Sequence, residues 1–118
     1  MPTADKIPPI VRTFTAQVSH EGRVTIPNTL RNLLGIEMGD YVTMYLVSVL
    51  RETGEPKPID HLPKPTRTFT KLVMRDRRVN LPAPLKVSAN IRKHDYVTLT
   101  IVNVLKRGDT NGDKPPED

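Results

Sequence analysis

The chain contains no cysteine, so disulfides and thiolate metal sites are excluded outright. It has no tryptophan and only five aromatic residues, Phe14, Phe69, Tyr41, Tyr45 and Tyr96. A large core anchored on bulky rings is therefore not expected. No apolar run approaches the ~18 residues of a membrane helix; the longest candidate, Tyr41 to Leu50, reads as a strand. His20, His61 and His94 are scattered without ligand spacing. There is no nucleophile elbow, no Gly-rich phosphate loop, no HExxH and no Cys/His cluster. The expectation is a non-enzyme with no metal and no cofactor. The stretch Met1-Pro2-Thr3-Ala4-Asp5-Lys6 lacks the basic-then-apolar layout of a signal peptide, so the expected location is the cytoplasm.

Proline and positive charge are abundant instead. Twelve prolines in 118 residues argue against a helical bundle and for several short elements separated by stops. Net charge is +5, unevenly spread. Residues 12–51 carry four Arg/Lys against three acids, whereas residues 67–106 carry nine against two. One block of forty residues thus holds +7, the footprint expected of a surface that meets a polyanion.

An internal repeat organises the chain. Shifted by 55 residues, Arg12–Arg51 aligns with Arg67–Lys106 without a gap, and seventeen of the forty positions are identical. They include Phe14/Phe69, Arg23/Arg78, Pro27/Pro82, Leu30/Leu85 and the run Asp40-Tyr41-Val42-Thr43 / Asp95-Tyr96-Val97-Thr98. Residues 52–66, with four prolines, read as an extended linker able to span roughly 45–50 Å. The polar tail 107–118 reads as disordered.

Each copy reads as strand, turn, strand, short helix, long strand. Thr13 to Val18 and Thr68 to Val73 are first strands, and Arg23 to Ile26 and Arg78 to Leu81 are second strands stopped by Pro27 and Pro82. In the first turn, His20-Glu21-Gly22, the glycine accepts positive φ. Its counterpart is Arg77, so the second turn is expected to use another geometry. Thr29 to Leu34 suggests two helical turns with Leu30, Leu33 and Leu34 on one face. Gly35 follows as a left-handed cap, and Asn90 replaces it in the second copy. Met38-Gly39-Asp40 turns the chain into the closing strand Tyr41 to Leu50. Asp40 and Asp95 are read as turn formers that bind nearby N–H groups, not as metal ligands or catalysts. Forty residues are too few to bury a core alone, so the copies are expected to pack on each other as an intrachain pseudo-dimer, the alternative being that each swaps hairpins with the same copy of another chain.

The stretch Gly22-Arg23-Val24-Thr25-Ile26-Pro27, followed by Leu30-Arg31, Leu34-Gly35-Ile36 and Gly39-Asp40, resembles the AbrB/SpoVT superfamily, which includes the MazE-like antitoxins. The second copy departs from the pattern at Arg77, Asn90 and His94. The resemblance implies a mainly β fold with two short helices, a tandem swapped-hairpin barrel. It also implies binding of double-stranded DNA through arginines on the strand-loop face, in a transcriptional regulator or architectural protein. By position, the DNA-binding residues it implies are Arg23 and Arg31 in copy 1, and Lys71, Arg78 and Lys86 in copy 2. The residues themselves add Arg75 and Arg77, clustered with Arg78 around an exposed turn. Alternatives from the same sequence are an intramodule ion pair of Arg23 or Arg78 with Glu21 or Asp76, and solvated helix faces at Arg31 and Lys86. An antitoxin role would require a long, partly apolar tail to wrap a toxin partner; the last twelve residues carry no large hydrophobe. A homo-oligomeric scaffold built on β edges is the remaining reading.

Overall fold

In the computed structural model, residue 8 and residues 11–107 are described. The expectations for the first six residues and for the tail from residue 108 onward lie outside them. The chain is mainly β with three short helices. The strands are β1 (Thr13–Gln17), β2 (Arg23–Thr25), β3 (Tyr41–Leu50), β4 (Pro56–Lys57), β5 (Thr68–Leu72), β6 (Arg78–Asn80) and β7 (Tyr96–Leu105). The helices are α1 (Asn28–Leu34), α2 (Lys64–Arg67) and α3 (Ala83–Ser88). The sequence suggested two helices; the third, α2, closes the proline-rich connection. No helix among the described residues is long and apolar enough to cross a membrane.

Two open sheets form. One runs β1-β7-β3-β4 with β5 also on β3, and the other is the two-stranded ribbon β2-β6. All their pairings are antiparallel, and all except β3–β4 join a residue of the first copy to one of the second. The register repeats under the 55-residue shift: Phe14↔Leu99 corresponds to Phe69↔Met44, and Val42↔Val104 to Val97↔Val49. Tyr45↔Thr100 and Val24↔Val79 each map onto themselves. Register shifts interrupt the β3–β7 ladder around Val47 and Val102, which correspond to each other and are both exposed.

Pleat alternation explains what is buried. Val42, Met44 and Leu46 of β3 and Val97, Leu99 and Ile101 of β7 point into one core. On the outer face, threonine pairs bond across strands: Thr13 with Thr100 at 2.7 Å, Thr15 with Thr98 at 2.8 Å and Thr43 with Thr70 at 2.7 Å. Val24, Val79, Ile26 and Leu81 bring the ribbon onto the same core, which Leu30, Leu34 and Leu85 of the helices complete. Leu33, expected with its neighbours on the buried face, is exposed. In so short a helix only the i, i+4 pair Leu30 and Leu34 meets the core.

The connection between the copies departs from the extended spacer expected of it. Its chain turns at Gly54, β4 pairs with Val49 and Leu50, and Lys57, Ile59 and Leu62 are buried. Pro56 and Pro58 are tolerated there because β4 is a sheet edge.

Candidate nucleic-acid interface

The β2–β6 ribbon is short, and its alternation is strict. Val24 and Val79 face the core, while Arg23, Thr25, Arg78 and Asn80 face outward. Register sets Arg23 opposite Asn80 and Arg78 opposite Thr25, so the outward face carries one arginine on each strand. Arg23 Nε donates to Asn80 Oδ1 at 2.9 Å. Both guanidinium groups also approach a single oxygen: Arg23 Nη1 is 3.6 Å and Arg78 Nη1 3.9 Å from Glu21 Oε1. Of the intramodule ion pairs weighed from the sequence, Arg23 with Glu21 forms, whereas Arg78 pairs not with Asp76 but with Glu21 across the copy boundary. All three side chains remain a third or more exposed, so the pairing is weak and replaceable.

A turn leads into each ribbon strand. In the first copy Gly22 has φ 81. In the second, Arg75–Arg77 forms a short 3-10 turn in which Asp76 has φ 64 and Arg77 φ 62. The turn as a whole uses another geometry, as expected: Asp76 is left-handed too, and its equivalent Glu21 is not. Arg77 itself keeps the left-handed conformation of Gly22. The reason is tertiary: Ile26 N donates to Arg77 O at 3.0 Å, as Leu81 N donates to Gly22 O at 3.0 Å. These paired cross-copy bonds fix the same left-handed conformation at residues 22 and 77. A side chain held there costs on the order of 1–2 kcal/mol. Asn90 at φ 56 and His94 at φ 72 likewise repeat the backbone of Gly35 at φ 67 and Gly39 at φ 96.

The seven expected DNA-binding residues are placed as follows. Arg23 and Arg78 share the ribbon face, and Arg75 and Arg77 occupy the adjoining turn. Lys86, on α3, crosses to the first turn; a Cβ on Gly22 would fall 2.3 Å from its Nζ. Arg31, on α1, is half-buried, and its Nε, like that of Arg77, is a buried donor without a hydrogen-bond partner. Lys71 lies apart from the ribbon, in β5 opposite Val42 of the larger sheet. Among the described residues, no carboxylate lies within 4 Å of Arg31, Lys71, Arg75, Arg77 or Lys86.

Asp40 and Asp95 act as the turn formers expected. Asp40 Oδ2 accepts from Glu37 N at 2.8 Å, and Asp95 Oδ2 from Arg92 N at 2.9 Å. Each also holds a lysine, half-buried Lys106 beside Asp40 and buried Lys57 beside Asp95. Lys106 Nζ is 2.6 Å from Asp40 Oδ2 and donates to Gly35 O; Lys57 Nζ is 2.5 Å from Asp95 Oδ2 and 2.5 Å from Asn90 O. Burial pushes both carboxyls up. The lysine hydrogen bond, the backbone N–H groups and the lysine charge outweigh it, so both titrate below the ordinary value. The repeat equivalent of Lys106 is Arg51, which instead pairs with Glu55 on the surface. Lys57 was missed from the sequence because it belongs to the connection and has no equivalent in the repeat. No group of three or more His, Cys, Asp or Glu residues suited to a metal ion occurs among the described residues.

No protein-family profile and no curated protein matches this chain. Among solved structures, it is similar to the solution structure of PHS018 from Pyrococcus horikoshii, with a TM-score of 0.63 and 26% identity. The match covers 90% of this chain and 97% of that one, so the likeness extends over nearly the whole fold.

Proposed function

We propose that this chain binds duplex DNA through the outward face of the β2–β6 ribbon and its flanking turns. In this reading it is an AbrB-like swapped-hairpin protein whose two copies form a pseudo-dimer within one chain, acting as a transcriptional regulator or architectural protein. The swapped arrangement is supported by the pairing of each first strand with the closing strand of the other copy. Ribbon strands that pair only with each other across the copies point the same way.

One observation carries the functional reading. Arg23 and Arg78 stand together on the outer face of a two-stranded antiparallel ribbon. A ribbon of that width fits the major groove, and planar guanidinium forks suit guanine edges and phosphates. The turn beside it supports this. Folding alone favours glycine at left-handed positions, yet the second turn carries Arg77 there and Arg75 two residues before. Strain accepted in order to place a cation is characteristic of a binding surface.

The test is fluorescence anisotropy of a labelled random-sequence duplex over a range of salt concentrations. Affinity should fall linearly on a log–log plot, with a slope of about −0.9 per phosphate contacted. The triple variant Arg75→Ala, Arg77→Ala, Arg78→Ala should bind more weakly, with a slope shallower by about 2–3. Equal affinity of variant and wild type, or no binding by wild type at low salt, would overturn the proposal.

A further inference from the structure

A cleft of about 490 Å³ opens between the first turn and the segment that runs from α3 into β7. Ser19, Glu21 and Gly22 form one wall, and Lys86, Arg92 and Lys93 bring three cations to the other. No carboxylate lies within 4 Å of these three among the described residues. Glu21 itself is turned toward Arg23 and Arg78. Lys86 lies close against residue 22, where a Cβ would push its ammonium group from its present place. Gly22 therefore does two things: it takes a positive φ and it leaves room for a cation from the other copy.

The repeat supplies an internal comparison. Under the 55-residue shift, Arg92 and Lys93 become Glu37 and Met38, and Lys86 becomes Arg31. Glu37 lies 3.8 Å from Lys106 Nζ, and Met38 is 58% exposed. Both turns have the same backbone course, so local folding does not demand cations at 92 and 93. Arg92 and Lys93 are exposed, and no core side chain depends on them.

From these features we infer that the cleft is a second phosphate-binding element, which extends the DNA footprint from the ribbon toward α3 on one side only. The inference rests on the DNA-binding reading and adds Arg92 and Lys93 to it. Continuity comes from Glu21, which belongs to the cleft wall and also touches both ribbon arginines. A phosphodiester that displaces this carboxylate from the two arginines has the cleft of Lys86, Arg92 and Lys93 beside it. Lysines contacting phosphate contribute charge and register without reading sequence, so the element raises affinity for every duplex alike.

The experiment compares salt-dependent anisotropy of the full chain with that of the double variant Arg92→Ala, Lys93→Ala, using one G-rich and one A/T-rich duplex. The salt slope should become shallower by about 2 on both duplexes, with the ratio of the two affinities unchanged. The reciprocal variant Glu37→Arg, Met38→Lys rebuilds the cleft's cations on the sister side and should steepen the slope. An unaltered slope in Arg92→Ala, Lys93→Ala while Arg23→Ala, Arg78→Ala weakens binding would overturn this inference and leave the ribbon reading standing. Failure of wild type to bind either duplex would overturn both.

Discussion

Lys57 Nζ lies 2.5 Å from Asp95 Oδ2, with the lysine side chain only 3% exposed. The same place beside Asp40 is taken by Lys106, from the end of β7. Two equivalent buried carboxylates thus find lysines from unrelated parts of the chain. The physical demand comes from the aspartates: each is needed for its turn, each becomes buried when the copies assemble, and a buried charge must be paired.

Lys57 should therefore matter far more for stability than its location in a proline-rich connection suggests. Lys57→Ala leaves Asp95 buried and unpaired, with an expected cost of about 3–5 kcal/mol. That corresponds to a drop in Tm of roughly 10–20 °C. Arg51→Ala, which removes the repeat equivalent of Lys106 and an exposed ion pair with Glu55, should change stability by less than about 1 kcal/mol. Calorimetry of the two variants checks this, and equal effects would refute it.

Acid should unfold the protein through the same two groups. Both Asp40 and Asp95 titrate below the ordinary 3.8 in the folded state. A lowered folded pKa means that their contribution is complete above the unfolded value and is lost as pH falls through the folded one. Tm should stay level down to about pH 5 and fall steeply below about pH 4. Asp40→Asn, Asp95→Asn should melt lower at neutral pH but show a shallower acid limb. An acid limb as steep as that of wild type would assign the transition to other carboxyls.

At Arg77 stability and binding should move in opposite directions. Arg77→Gly relieves a left-handed residue and should raise stability by about 1 kcal/mol, while removing one cation from the ribbon's edge. Weaker DNA binding together with a higher Tm is the expected pair of results. Gly22→Ala should do the reverse to the fold, because φ is 81 there and the new Cβ would meet Lys86 Nζ. A loss of stability in Arg77→Gly would show that the side chain holds the turn.

Most of the local structure is legible in the residues. The duplication, the stops at Pro27 and Pro82, the caps at Gly35 and Asn90 and the long strands before Leu50 and Leu105 follow from backbone chemistry that acts over a few positions. So do the turn roles of Asp40 and Asp95. The candidate arginines at 23, 75, 77 and 78 could be picked out because charge and repeat position are visible without coordinates. That Glu21 serves two of them could not, because Arg78 reaches it only through the β2–β6 pairing.

Long-range assembly accounts for the rest. The pairing of strands across the copies, the left-handed Arg77 and the cleft containing Arg92 and Lys93 all depend on contacts across more than twenty positions of sequence, and the burial of Ile59 and Leu62 depends on the core those contacts build. Short-range propensity carries no information about such contacts. Arg77 shows the reason: its own preference is outweighed by a hydrogen bond to Ile26, a residue fifty-one positions away.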